Sequence, residues 1–228
     1  MSMDLFRNKR IYTIFIAISM AAITWLLGYV AFLTRIESVY YEKSFSFLVM
    51  NTESVAVGAW DAQLSGGAGY SLVDGGKECV VLSVYLTQED GKEVLSTFGN
   101  NDKDVSILTK RIKKLYFKTS EQKCNKERYV AALNSLYSGM EALEQAIIKL
   151  DRGSTQESCK RMLGQIVKVL RYCAKSYQDI FPAYANMCNL ASEKLQSYIE
   201  QTVYVKDLRY ELCDLAVNYL KLASIFAL

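Results

Sequence analysis

The sequence predicts an α+β protein carried on one membrane-spanning helix, and three observations predict it. The stretch from Ile11 to Leu33 holds no charged residue. From Ser44 to about Lys118 the chain is rich in β-branched residues, aromatics and glycine. From Ser120 to Leu228 apolar residues recur every three or four positions, which is helical spacing.

Crossing a bilayer core takes about 20 apolar residues, in a helix that satisfies its own backbone groups. IYTIFIAISMAAITWLLGYVAFL, residues 11–33, meets that requirement. Arg7, Lys9 and Arg10 precede it, whereas Arg35 and Lys43 behind it are offset by Glu37 and Glu42. The Lys/Arg bias keeps residues 1–10 as a cytoplasmic tail and sends the rest across, giving a single-pass plasma-membrane protein with its bulk extracytoplasmic. A cleaved signal peptide is the rival reading. Its apolar region would run about 7–15 residues, and no Ala-Xaa-Ala motif precedes a workable cut. Residues 34–43 read as a short polar stalk.

Residues 44–118 predict a small α+β domain. Ser44 to Met50 alternates as a strand, with Phe45, Phe47 and Val49 on one face. Thr52 or Ser54 then caps a helix over Ser54–Leu64, and Gly66, Gly67 and Gly69 end it. Tyr70–Val73 and Glu78–Leu86 are strands joined by a turn at Asp74–Lys77. Val80, Leu82, Val84 and Leu86 fall on one side of the second, and Val81, Ser83 and Tyr85 on the other. Thr87 opens a second helix with an acid three residues on. Gly99–Asp102 end it, and Val105–Ile112 form the last strand, although Val105, Leu108, Ile112 and Leu115 suit a helix equally. The order β-α-β-β-α-β is the ferredoxin-like plan, a four-stranded antiparallel sheet with two helices on one face.

Residues 119–228 predict an antiparallel bundle of three or four helices. Tyr129, Leu133, Leu136, Met140, Leu143, Ile147 and Leu150 form one seam, and Cys159 to Ile180 a second. Asp151–Ser154 is a loop, with Ser154 or Thr155 capping the next helix, and Phe181–Pro182 is the next break. Tyr184, Cys188, Ala191, Leu195 and Tyr198 carry the third helix. The frame slips between Val205 and Leu208, so either Thr202–Val205 breaks the chain or one helix carries a stammer. Tyr129, Tyr177 and Tyr219 on these seams are core residues.

Composition excludes several functions. The net charge is +3, and no Lys/Arg cluster interleaves with aromatics in the manner of a groove binder, so no nucleic-acid partner is expected. Histidine is absent, which removes the commonest general base and metal ligand. The six cysteines form no Cys-Xaa-Xaa-Cys pair and read as packing residues. Acid pairs such as Glu89–Asp90 and Glu141/Glu144 read as solvated helix faces. No enzyme activity, cofactor or metal is expected.

CVVLSVYLTQEDGKEVLSTF, Cys79 to Phe98, resembles the second half of the SPOR domain, and GGAGY, Gly66 to Tyr70, sits at that family's turn into its second strand. VAVGAWD, Val55 to Asp61, is similar to the family's usual first strand, yet in the register above it lies on the first helix. The resemblance covers about a third of the chain. It implies a module that binds peptidoglycan glycan strands during division or sporulation, with the bundle recruiting envelope proteins. On that implication the open sheet face, with Ser46, Leu48, Tyr70, Ser83 and Tyr85, is the candidate glycan site; Ser46, Tyr70, Ser83 and Tyr85 supply hydroxyls and aromatic rings. The alternative is an assembly protein whose domains make protein–protein contacts and bind no sugar. An apolar face or an unpaired sheet edge would support it.

Overall fold

A computed structural model describes residues 18–31, 35–97, 105–118 and 123–226. Helix α1 is the helical run at residues 18–31, exposed throughout, with the rings of Trp25 and Tyr29 stacked 5.8 Å apart. Among the described residues no helix is long and apolar enough to cross a membrane. The expected span runs past α1 onto residues 11–17 and 32–33, which lie outside the described residues, as does the turn expected at Gly99–Asp102.

The α+β region follows the order β1 (Ile36–Met50), α2 (Val55–Leu64), β2 (Tyr70–Asp74), β3 (Lys77–Tyr85), α3 (Gln88–Thr97) and β4 (Val105–Lys118). Its strands form one antiparallel sheet in the order β2-β3-β1-β4. Val55–Leu64 is helical, and Val105–Lys118, which suited either state, is a strand. Gly75 and Gly76 turn β2 into β3 with φ of 55° and 82°, values an L side chain adopts only with strain. Thr87 starts α3 as a reciprocal cap. Its Oγ1 accepts from the Asp90 N–H at 3.1 Å, and its hydroxyl donates to the Asp90 carboxylate.

Two expectations need correction. The stalk at residues 34–43 is largely strand: Ile36 to Lys43 pairs with Ile112 to Lys118, extending β1 and β4 as a ribbon beyond the sheet. Val39 and Tyr41 supply its inward side, and Tyr41 is buried. The facing of β3 also differs. Leu48 pairs with Ser83 but Val49 pairs with Val81, so Leu82 is the extra residue of a bulge. Its carbonyl accepts from the Ala68 N–H at 2.7 Å, which ties the glycine-rich loop to the sheet. The bulge puts Val80 and Val84 on opposite faces, because a one-residue slip reverses every side chain beyond it.

Four helices complete the chain: α4 (Lys123–Asp151), α5 (Gln156–Tyr177), α6 (Pro182–Ile199) and α7 (Val205–Ser224). Thr155 caps α5 by accepting from the Ser158 N–H, and Pro182 occupies the first turn of α6, where its missing N–H costs nothing. The frame slip is a true break. Gln156 clamps the α6–α7 loop with both amide atoms: its Nε2 donates to Val203 O at 2.9 Å, and its Oε1 accepts from Val203 N–H at 3.0 Å. Cys79, Cys159, Cys173, Cys188 and Cys213 are buried free thiols, and the Cys124 side chain lies outside the described residues.

The bundle does not stand apart from the sheet. Helices α2 and α3 cover the face that carries Ser46, Leu48 and Ser83. Helices α4 and α7 meet the other face, where the Phe45 ring touches the rings of Tyr137 and Tyr219. One continuous core runs from Phe45, Phe47 and Val84 through Leu212 and Tyr219 to Leu136 and Leu163. Tyr41 and Tyr219 join hydroxyl to hydroxyl across it. The ribbon closes on an aromatic cluster of Phe117, Tyr129, Phe181 and Phe226.

Candidate functional site

The four candidate glycan residues do not share an open face. Ser46 has no exposed surface and lies under α3, where a Cβ on Gly91 would stand 2.8 Å from the Ser46 Cβ. Its hydroxyl has no hydrogen-bond partner among the described residues. Ser83 is buried and Tyr85 half-buried on that same helix-covered side. Tyr70 pairs with Val81 and points the other way, to the bundle. Its ring packs on Tyr210, and its hydroxyl donates to Asp214 at 3.3 Å. Burial, reinforced by the Asp214 carboxylate, pushes the Tyr70 phenol up to about 12. Asp214 is shared with Lys194, which also pairs at 3.3 Å with the buried Glu211. Tyr70 is thus a strut between β2 and α7.

Ser83 and Tyr85 do line something. Two adjoining cavities, of about 250 and 300 Å³, share Ser83, Tyr85, Val94 and Arg209. Arg209 donates through Nη1 to Gly66 O at 2.6 Å and pairs through Nη2 with Asp151, while its Nε is buried without a partner among the described residues. Glu144 lies at the inner end. It is 7% exposed and accepts from the Leu86 N–H at 3.1 Å, and Tyr137 donates to Leu86 O at 2.9 Å. Burial raises its carboxyl to about 7, against the lowering effect of the Leu86 N–H. The expectation that Glu144 sits on a solvated helix face is corrected here. Glu144, Ile147 and Asp151 follow each other at helical spacing, and that stripe of α4 faces the sheet rather than water.

A second concavity, with a volume of about 790 Å³, lies between α7 and the sheet, with Phe47 of β1, Leu72 of β2 and the 110–116 stretch of β4 in its wall. Phe47, Leu72, Ile112, Val217 and Leu220 form its apolar floor. Lys110, Arg111, Lys113, Lys114 and Lys221 line it as well, and among the described residues no acid does. Lys110 is engaged by Asp74, and Arg111 donates to Gln88. Lys113, Lys114 and Lys221 are exposed and have no ion-pair partner among the described residues. Strand β4 is one edge of the sheet and β2 the other. The Tyr116 N–H points outward to Phe226 O at 2.6 Å, and no other backbone bond crosses the β4 edge among the described residues.

Sequence reasoning missed this groove although its signal was present: KRIKKLYFK, Lys110 to Lys118, is a basic run interleaved with Tyr116 and Phe117. A balanced total charge hid it, and only strand pairing shows that the run lies on an edge. No group of three or more His, Cys, Asp or Glu side chains is placed to hold a metal among the described residues. No family model, curated protein or solved structure matches this chain, so the likeness to the SPOR family rests on the quoted residues alone.

Proposed function

We propose that this chain is a non-catalytic, single-pass envelope protein of the plasma membrane whose folded body assembles with other proteins at its β4 edge. One observation carries the reading. The sheet face that a free-standing module would present is covered by α4 and α7, while among the described residues only Phe226, on Tyr116, bonds to the outer backbone of β4, beside the basic, apolar-floored groove. The tether is supported by the uncharged Ile11–Leu33 stretch and by α1, whose apolar side chains stand exposed. An open sheet edge is a surface that another chain can pair with.

A second reading has one observation in its favour. The Tyr85 ring, the Ser83 hydroxyl and the unpartnered Arg209 Nε meet at the paired cavities, an inventory suited to a sugar. Sedimentation separates the two. The full chain in detergent, mixed with peptidoglycan either intact or stripped of stem peptides, is expected to stay in the supernatant. Co-sedimentation that Tyr85→Ala abolishes would replace the assembly reading with the glycan one.

A further inference from the structure

We propose that the groove between β4 and α7 binds an extended, acidic segment of a partner protein, which adds to the sheet as a fifth strand beside β4. This rests on the assembly reading and names the kind of partner. Three features of the groove converge on that occupant.

The first is backbone supply. Strand β4 pairs on one side only, with β1. The Tyr116 N–H points away from β1, as its bond to Phe226 O shows. Antiparallel strands alternate inward and outward backbone groups residue by residue. Lys114, Ile112 and Lys110 therefore turn their N–H and C=O groups outward with Tyr116. These groups await a strand of the kind that peptide-binding sheets accept by edge addition.

The second is charge. Among the described residues, five cations and no acid line the groove, and three of those cations lack an ion-pair partner. Lysine on an edge ordinarily repels unwanted strands. Such a guard needs no apolar trough, and here one lies between β4 and α7. An edge guarded by cations rejects neutral and basic strands and admits acidic ones, so one device supplies both exclusion and selection.

The third is the floor. Ile112, Val217 and Leu220 are half-buried and pack on the core while remaining part of the groove surface. An incoming strand presents alternate side chains to one side. Apolar residues on that side meet the floor beside Lys114 and Lys221, while carboxylates on the other side reach Lys113, which alternates with Ile112 along β4. A folded acidic surface could use the rim but could reach neither the floor nor the outward backbone groups.

The test uses the full chain in detergent and a short fluorescent peptide alternating glutamate and valine, read by anisotropy. The peptide is expected to bind, and its glutamine–valine counterpart to bind about tenfold more weakly or worse. Methylating the backbone nitrogens of the glutamate peptide is expected to abolish binding, because strand addition requires those N–H groups. Lys113→Glu with Lys114→Glu is expected to lose the glutamate peptide and gain the lysine–valine one; that gain requires a folded protein. Equal binding of the glutamate and glutamine peptides would overturn the proposal, as would unchanged binding after methylation. Stronger capture of phosphatidylglycerol vesicles than of the peptide would reassign the groove to lipid headgroups. Failure of peptide binding while the chain still ignores peptidoglycan defeats this inference alone; sedimentation with peptidoglycan defeats the assembly reading itself.

Discussion

Glu144 shows how burial changes the meaning of a residue. In the sequence it is one of many acids on a long helix, whereas in the fold it is sealed against Leu86 with its carboxyl raised to about 7. The folded value lies above the ordinary value near 4.3, so the folded state holds the proton more tightly. The penalty of ionising Glu144 is absent below about pH 4, grows as pH rises, and is complete above about pH 7. Wild-type stability should therefore fall across that window. Glu144→Gln keeps an acceptor for the Leu86 N–H and should remove the fall, gaining on the order of 1–3 kcal/mol over wild type between pH 5 and pH 8. Thermal unfolding at both pH values checks this, and parallel pH profiles for the two proteins would refute it.

The candidate site was legible only in part at this scale. Alternation puts Tyr85 and Ser83 on one face, and the structure keeps them together, lining a cavity on the helix-covered side rather than on an open face. Tyr70 was misplaced because the bulge at Leu82 inverts the register beyond it, and a bulge leaves an unbroken apolar run in the sequence. Alternation puts Ser46 opposite Phe45 and Phe47, on the face expected to be open; Gly91 lets α3 approach closely enough to seal it.

Among the elements, the helices declared themselves best, because caps and seams are local signals. Thr87 and Thr155 cap as their residue types predict, and the seam of α7 is buried at Leu208, Leu212, Leu215 and Tyr219. The ribbon extension was hidden by Glu37, Glu42 and Lys43, which make a strand with one buried side look like a linker. The break between α6 and α7 could be seen as a frame slip, but its cause could not: Gln156 lies 47 positions before Val203. That clamp satisfies both backbone groups of a buried residue, Val203 being 2% exposed. Gln156→Ala should cost about 1–3 kcal/mol, since it leaves a buried donor and acceptor unpaired. Denaturant unfolding reads the loss, and a cost near zero would mean that the loop finds other partners.

For the molecule as a whole, the α+β class and the helical second half were visible from composition and period, while their union was not. Seams of apolar residues ask for a partner without naming it, and α7 spends part of its seam on the sheet, through Tyr219 on Phe45. The proposed assembly reading rests on the covering of that face, which leaves β4 as an edge strand beside a basic groove. Amide hydrogen exchange on the full chain tests the union most directly. If sheet and bundle share one core, the slowest amides of β3, from Val80 to Val84, and of α7, from Leu212 to Tyr219, should open together with free energies within about 1 kcal/mol of each other. Exchange of the β3 amides at a much lower opening free energy, with α7 still fully protected, would show two independent units and contradict the account.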